Sequence, residues 1–270
     1  MTIETASRAA AVLSDPSFSV PEPSRTAIGE LARLRREVSR FANGEAHAAR
    51  RREVVALLDG LDPERLADDA ADRTRRAIAS GARDADDPRI RAVPAAVIAA
   101  AIGFADPSGV AADAEVVADA YRSGATTPQI DAAAGRLLRG AGDAAGPRPH
   151  PSIGSEPDTA ALLVQLVAQA HRATGDLVAR VCEAAVPGVE PATTLHEVLR
   201  HHPPVPATVR VVDGRPLEVA LADPDPAAAA RPAHELLAFG AGPRRCPGAR
   251  QALAIAASVV ETLRGSEGSC

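Results

Sequence analysis

From Phe239 to Gly248 the chain reads Phe-Gly-Ala-Gly-Pro-Arg-Arg-Cys-Pro-Gly and then enters an apolar run over residues 249–263. This junction sets a glycine-rich turn directly against a helix start, with Cys246 between them and Arg244 and Arg245 just ahead of it. A helix N-terminus and nearby cations both favour a thiolate. Gly240, Gly242 and Gly248 let the backbone pass close beneath a flat group, so that N–H groups can point at the sulfur. A thiolate presented in this way suits a heme iron. The alternative is a buried cysteine in a connector rich in glycine and proline.

The decapeptide resembles, at every defining position, the cysteine-ligand loop of the cytochrome P450 family, Phe-x-x-Gly-x-Arg/His-x-Cys-x-Gly. The resemblance implies heme b held through Cys246 as the metal ligand, with Phe239, Gly240 and Gly248 beside the cofactor. Upstream, Glu197-Val-Leu-Arg200 resembles the family's Glu-x-x-Arg helix, and the proline-rich His201 to Arg210 resembles the strand that follows it. Three residues apart on a helix, Glu197 and Arg200 can pair. Arg231, eight residues before Phe239, is expected to complete a buried Glu197–Arg200–Arg231 cluster. Thr194-x-x-Glu197 is equally an ordinary capping box. His47 and Arg51 are spaced to share one helix face and match the family's His-x-x-x-Arg. With Arg210 and Arg244 they would form four donors around two propionates. Taken singly, each of these basic residues is equally a solvated surface charge.

The rest of the chain reads as one mainly helical domain over residues 1–270, a shortened cytochrome P450-like heme fold with a small β element. Helical periodicity runs over 30–41, 45–58, 93–102 and 112–121, with a further start at Asp62-Pro63-Glu64 and the longest signal over 159–185. Residues 205–212 and 217–221 flank Asp213-Gly214 as a hairpin, and 140–157, rich in glycine and proline, reads as a loop. Hydrophobic residues make up 46% of the chain but aromatics only 2%, so any pocket is walled mainly by aliphatic side chains. A net charge of −5 offers no footprint for nucleic acid or an anionic membrane, and no stretch has the length of a membrane span. The N-terminus does not read as a signal peptide. Cys182, Cys246 and Cys270 are too few and too scattered for a disulfide framework, which points to a reducing cytoplasm. Cys182 is expected to be a packed helix residue and Cys270 a frayed tail. His196, His201 and His234 are expected at the surface.

The departures from the family pattern are expectations too. The chain is about a third shorter than the family usually is; little precedes Val12, so the first helix and the outer strands are expected to be missing. The result is a more open distal pocket, or one completed by a partner protein. In the helix over the heme, the family carries an acid and a threonine that relay protons. Here the matching run is Gln169-Ala-His-Arg-Ala-Thr174, with Arg172 at the acid and Ala173 at the hydroxyl. A register shifted by one would recover Thr174 but set His171 against the iron. His171 and Arg172 are the candidate catalytic pair, the imidazole moving a proton within a peroxide and the guanidinium stabilising the departing oxygen or a substrate carboxylate. Otherwise both point sideways off the helix. The expected activity is oxidation of a small organic molecule in bacterial specialised metabolism, as a monooxygenase or a peroxygenase. The alternative is a non-oxidative accessory protein that activates a partner enzyme.

Overall fold

The computed structural model describes residues 2–3, 5–144, 158–266 and 270. A strand, β1 (Thr2–Ile3), leads into helices α1 (Ala6–Ser14), α2 (Glu30–Glu37), α3 (Gly44–Asp59) and α4 (Pro63–Ala79). Then come α5 (Pro88–Arg91), α6 (Val93–Ala101), α7 (Pro107–Ser123), α8 (Pro128–Gly142), α9 (Thr159–Gln169) and α10 (Gly175–Glu183). The chain continues through α11 (Pro191–His201), strands β2 (Ala207–Val212) and β3 (Arg215–Ala220), and α12 (Ala249–Gly265).

One device starts many of these helices. Asp62, Asp87, Asp106 and Thr127 each precede a proline at the first helical position, and each side chain accepts a backbone N–H of the first turn. Proline costs nothing there, because its missing N–H would have had no partner. Thr127-Pro128 thus announces α8, a helix the sequence reading passed over, whose buried face carries Ala133, Ala134, Leu137, Leu138 and Ala141. Of the loop expected over 140–157, residues 140–142 belong to α8 and 145–157 lie outside the described residues.

The main core is aliphatic and rich in alanine. Small side chains such as Ala70, Thr74 and Ala256, all fully buried, let α12 lie close along α4. Ser258 Oγ donates to the Ala67 carbonyl (2.6 Å), and Gln251 Nε2 donates to the Leu58 carbonyl (3.0 Å). These bonds fix α12, and the cysteine loop ahead of it, against α3 and α4. The helix expected over 30–41 stops at Glu37 because a tertiary bond wins: the Ser39 N–H goes to Gln165 Oε1 of α9 (2.8 Å), and 39–41 tightens into a 3₁₀ turn.

A smaller apolar cluster joins α1 to the sheet through Ile3, Val12, Leu13, Leu217 and Val219. β2 and β3 form the expected hairpin, closed by Asp213 and Gly214 at φ 50° and 73°, the two-residue geometry such a turn requires. Contrary to expectation the hairpin does not stand alone. β1 pairs in parallel with β3, giving the order β1-β3-β2, and Ser19 bridges Val211. A second correction concerns the cysteines. Cys182 of α10 is disulfide-bonded to Cys270, across a separation of 88 residues, because the packing of α10 against α12 brings distant ends of the chain together. No described helix is long and apolar enough to cross a membrane.

The Glu197–Arg200–Arg231 cluster does not form. Arg200 is buried and donates to Glu197 Oε1 (2.9 Å) and to the Asp225 carbonyl (3.0 Å), but Glu197 is half exposed. Glu197 also faces His201 at 3.2 Å. Arg231 instead pairs with Asp223 at 2.9 Å, a carboxylate only 1% exposed whose backbone N–H donates to the Arg200 carbonyl. His196, expected at the surface, is half-buried against the Arg231 carbonyl (2.9 Å). The strongly desolvated charge is therefore Asp223. Arg231→Ala, which strands it, is expected to destabilise the fold by about 3 kcal/mol. Glu197→Ala, which leaves Arg200 its carbonyl partner, should cost about 1 kcal/mol. Urea denaturation of the two variants checks the order, and a larger loss for Glu197→Ala would restore the expected cluster.

Candidate functional site

The turn before α12 is built as its glycines dictate. Gly240 and Gly242 take φ values of 75° and 64°, and the Cys246 N–H closes the loop on the Phe239 carbonyl at 2.7 Å. A Cβ on Gly242 would stand 2.5 Å from Ser14 Cα, so this glycine is needed for α1 to pack on the loop. Around Gly240 a Cβ would meet nothing closer than 3.8 Å, and Gly248 faces Leu58 of α3 at ordinary contact distance. A Cβ at Gly240 or Gly248 would thus meet only ordinary contacts, whereas one at Gly242 would clash.

Cys246 is a free cysteine whose side chain is open to solvent. Protein nevertheless closes in around it, and that burial pushes the thiol up. The Gly248 N–H, Arg51, Arg245 and Arg40 all pull the other way. The sulfur is thus accessible and yet desolvated, on a floor of surrounding protein. The expectation of a thiolate from cations and a helix end alone is corrected in direction, because desolvation outweighs them. The cations are then poised to favour deprotonation once an electron-pair acceptor sits over the sulfur.

His47, Arg51, Arg210 and Arg244 meet beside this floor. Arg51 donates to the Arg245 carbonyl, which ties α3 to the loop. Arg244 donates to the Ala42 carbonyl (2.6 Å) and to Asn43 Oδ1 (2.8 Å). Asn43, between the helical signals over 30–41 and 45–58, is a clamp: its side chain also exchanges hydrogen bonds with both backbone groups of Val20 at 2.9 Å. Arg210 is 5% exposed, yet among the described residues its hydrogen bonds stay within its own strand, to Thr208 Oγ1 (3.4 Å) and the Val209 carbonyl (3.2 Å).

Among the described residues, no carboxylate pairs with Arg51, Arg210 or Arg244. The charges therefore repel one another. Burial, then Arg244, Arg51 and Arg210, push His47 down to about 4. Burial, then Arg244 and Arg40, push Arg210 down to about 10. Burial and Arg51 likewise lower Arg244. A buried cluster of donors without an anion costs free energy until an anion arrives. A flat dianionic group with a thiophilic metal matches both halves of this recess: the carboxylates meet the cations, and the metal meets the sulfur.

Helix α9 ends in a π turn at Ala170–Thr174. Leu166, Gln169, Ala170 and Ala173 are half-exposed, whereas His171 and Thr174 are buried. This agrees with the register that sets Ala173, not Thr174, at the open position. A run of contacts leads from this strip towards the thiol: Gln169 Nε2 reaches the Tyr121 hydroxyl (3.5 Å), and Tyr121 tilts against Phe41 at 5.4 Å. Arg40 sits 5.7 Å from the same Phe41 ring.

The expected catalytic pair stands apart from the recess. Arg172 is half exposed and bonded to Asp119 and Asp176, each at 2.9 Å. His171 is buried with Nδ1 unpartnered; burial lowers its pKa, and the charges it meets are Glu115, Arg91, Asp176 and Arg172. None of these belongs to the cationic cluster. Sequence reasoning missed Arg40, Asn43, Tyr121 and Gln169. Only the position of Arg40, seven residues before His47 in a basic stretch, gave a sign.

No family model and no curated protein matches the sequence. Solved structures do. The chain is similar to P450BioI in complex with hexadec-9Z-enoic acid-ligated acyl carrier protein, with a TM-score of 0.72 at 16% identity over 97% of this chain and 84% of that one. It is similar to CalO2, with a TM-score of 0.71 at 19% identity over 97% and 82%. CYP154A1 from Streptomyces coelicolor A3(2) gives 0.67 at 18% identity over 98% and 83%. The chain has the cytochrome P450 fold.

The crowded cations make a pH prediction for the protein without added ligand. His47 titrates near 6.5 when unfolded and near 4 when folded. The unfolded chain therefore takes up this proton first, and stability falls as pH drops from about 6.5 towards 4. Thermal unfolding across that window should show a shallower acid limb for His47→Gln than for the unsubstituted chain; parallel curves would mean that His47 is not crowded.

Proposed function

We propose that this protein is a heme-thiolate oxidative enzyme acting on a small organic molecule. The observation that carries the reading is Arg210, a guanidinium buried beside further cations with no carboxylate among the described residues to balance it. Cys246 would ligate the iron. His47, Arg51, Arg210 and Arg244 would hold the propionates, with Phe239, Gly240 and Gly248 bordering the macrocycle. When bound, a thiolate-ligated heme would supply oxidising chemistry. Charge-assisted bonds to two carboxylates would relieve the repulsion that burial imposes on the cations. Preservation of this donor set favours an enzyme over an accessory protein.

On the facing helix, Ala173 has no hydroxyl and Arg172 is committed to Asp119 and Asp176. Neither can hand a proton inward, so the π turn lacks an acid–alcohol relay. We therefore favour hydrogen peroxide as the oxidant, supplying one oxygen atom to the substrate and leaving as water. Leu166, Ala170 and Ala173 offer an aliphatic wall for the substrate. A partner protein would complete the distal side.

Two outcomes test this reading. Cys246→Ser should remove the thiolate-type absorption of the reduced, carbon monoxide-bound protein, and a variant that keeps it would refute the ligand assignment. Turnover should be at least ten-fold faster with peroxide than with dioxygen and a reductase pair, given that lost acid–base groups typically cost roughly 10²–10⁴-fold. Equal rates would show that another group relays protons.

A further inference from the structure

The Cys182–Cys270 disulfide has no part in the recess, yet it encloses much of it. The bond closes a ring across a separation of 88 residues. α11, both strands of the hairpin, the cysteine loop and α12 all lie within that ring, which therefore contains Arg210 and Cys246. A covalent tie across so long a ring removes much of the freedom of the unfolded chain, and so stabilises the fold. In the folded protein it fastens the segment beyond α12 onto α10. The end of α12 has a non-covalent tie on the same side, Arg264 Nη1 donating to the Val189 carbonyl at 2.7 Å.

The bond is also within reach of solvent. Cys182 and Cys270 are both half-buried, and with Asp84, Asp86, Ala179 and Glu183 they line a surface pocket of about 270 Å³. Asp84 and Asp86 belong to the turn ahead of α5, and Glu183 to the end of α10. Among the described residues the lining holds three carboxylates and no cation. Arg91, 3.5 Å from Asp86, offsets one of the three from beyond the lining.

We propose that the Cys182–Cys270 bond is a redox clasp, opened by exchange with a small thiol that bears no carboxylate, and that opening it loosens the half of the fold that carries Arg210 and Cys246. The proposal stands independently of the heme-enzyme reading. A thiolate attacks one sulfur of the bond, forms a mixed disulfide with it and expels the other as a thiolate. A second thiolate then displaces the first, so two reductant thiols leave joined as a disulfide and both cysteines end reduced. Attack brings negative charge into a pocket that is already negative. A thiolate that also carries an ammonium enters with no net charge, whereas one that carries a carboxylate enters with two negative charges and is repelled.

The test uses the full chain prepared without reductant. Alkylation should count one free thiol before reduction and three after it. Reduction should lower the midpoint of thermal unfolding by about 10 °C. Cys270→Ser should start at the lower midpoint and stay there when reductant is added. Three free thiols without reductant, an unmoved midpoint, or a further fall in Cys270→Ser would each overturn the proposal. Opening no faster than global unfolding would also overturn it, since the bond would then be a fixed staple. Cysteamine should open the bond faster than mercaptoacetate, and Asp84→Asn with Glu183→Gln should shrink that rate ratio about three-fold. Comparing the ratio between the two proteins cancels the intrinsic difference between the thiols, and an unchanged ratio would overturn selection by charge.

Discussion

Positive charge held in one place, with no paired counter-charge among the described residues, is the constraint around which this structure is arranged. His47 and Arg51 come from α3, Arg210 from β2 and Arg244 from the cysteine loop, so three remote segments must converge. Their mutual repulsion opposes that convergence. It is overcome by an aliphatic core that the cations do not share, and by backbone carbonyls and one asparagine that accept their hydrogen bonds. The sheet matters for the same reason. β1 and Ser19 brace the hairpin from both sides, and the hairpin carries Arg210.

Asn43 shows how economically the joint is made. One carboxamide holds the backbone of Val20, ends the 3₁₀ turn at the start of α3 and receives Arg244. Gln165 plays the matching part on the other side, locking Ser39 to α9. Between these two amides the short segment 39–43 is pinned at both ends, which is why Arg40 and Phe41 have defined places although one is exposed. The π turn beyond Gln169 divides the long helix into a wall for the recess and a support for the outer surface, where Arg172 and Asp176 form ion pairs.

Local signals carried far. Proline after a capping aspartate marked helix starts, Asp213-Gly214 marked the hairpin, and the decapeptide around Cys246 marked the turn and its helix. They succeeded because each depends on the φ preference or hydrogen bonding of a few adjacent residues. Pair assignments fared differently. Glu197 and Arg200 met because three residues on a helix fix their separation, but Arg231 found Asp223, since that carboxylate is buried beside it and Glu197 faces water. Cys182 and Cys270 met because helices packed, and their spacing in the chain carries no trace of that.

What was written in the chain itself is most of the helices, the hairpin, the glycine turn that presents Cys246 and the four basic residues that gather beside it. Those features follow from local stereochemistry and from one short, specific pattern of residues. The three-dimensional packing settled which side of each helix meets the recess. It turned Ala173 to the open side, His171 inward and Arg172 out to its aspartates. It also set the direction of the Cys246 thiol, since desolvation depends on how much protein surrounds a group and not on its neighbours in sequence.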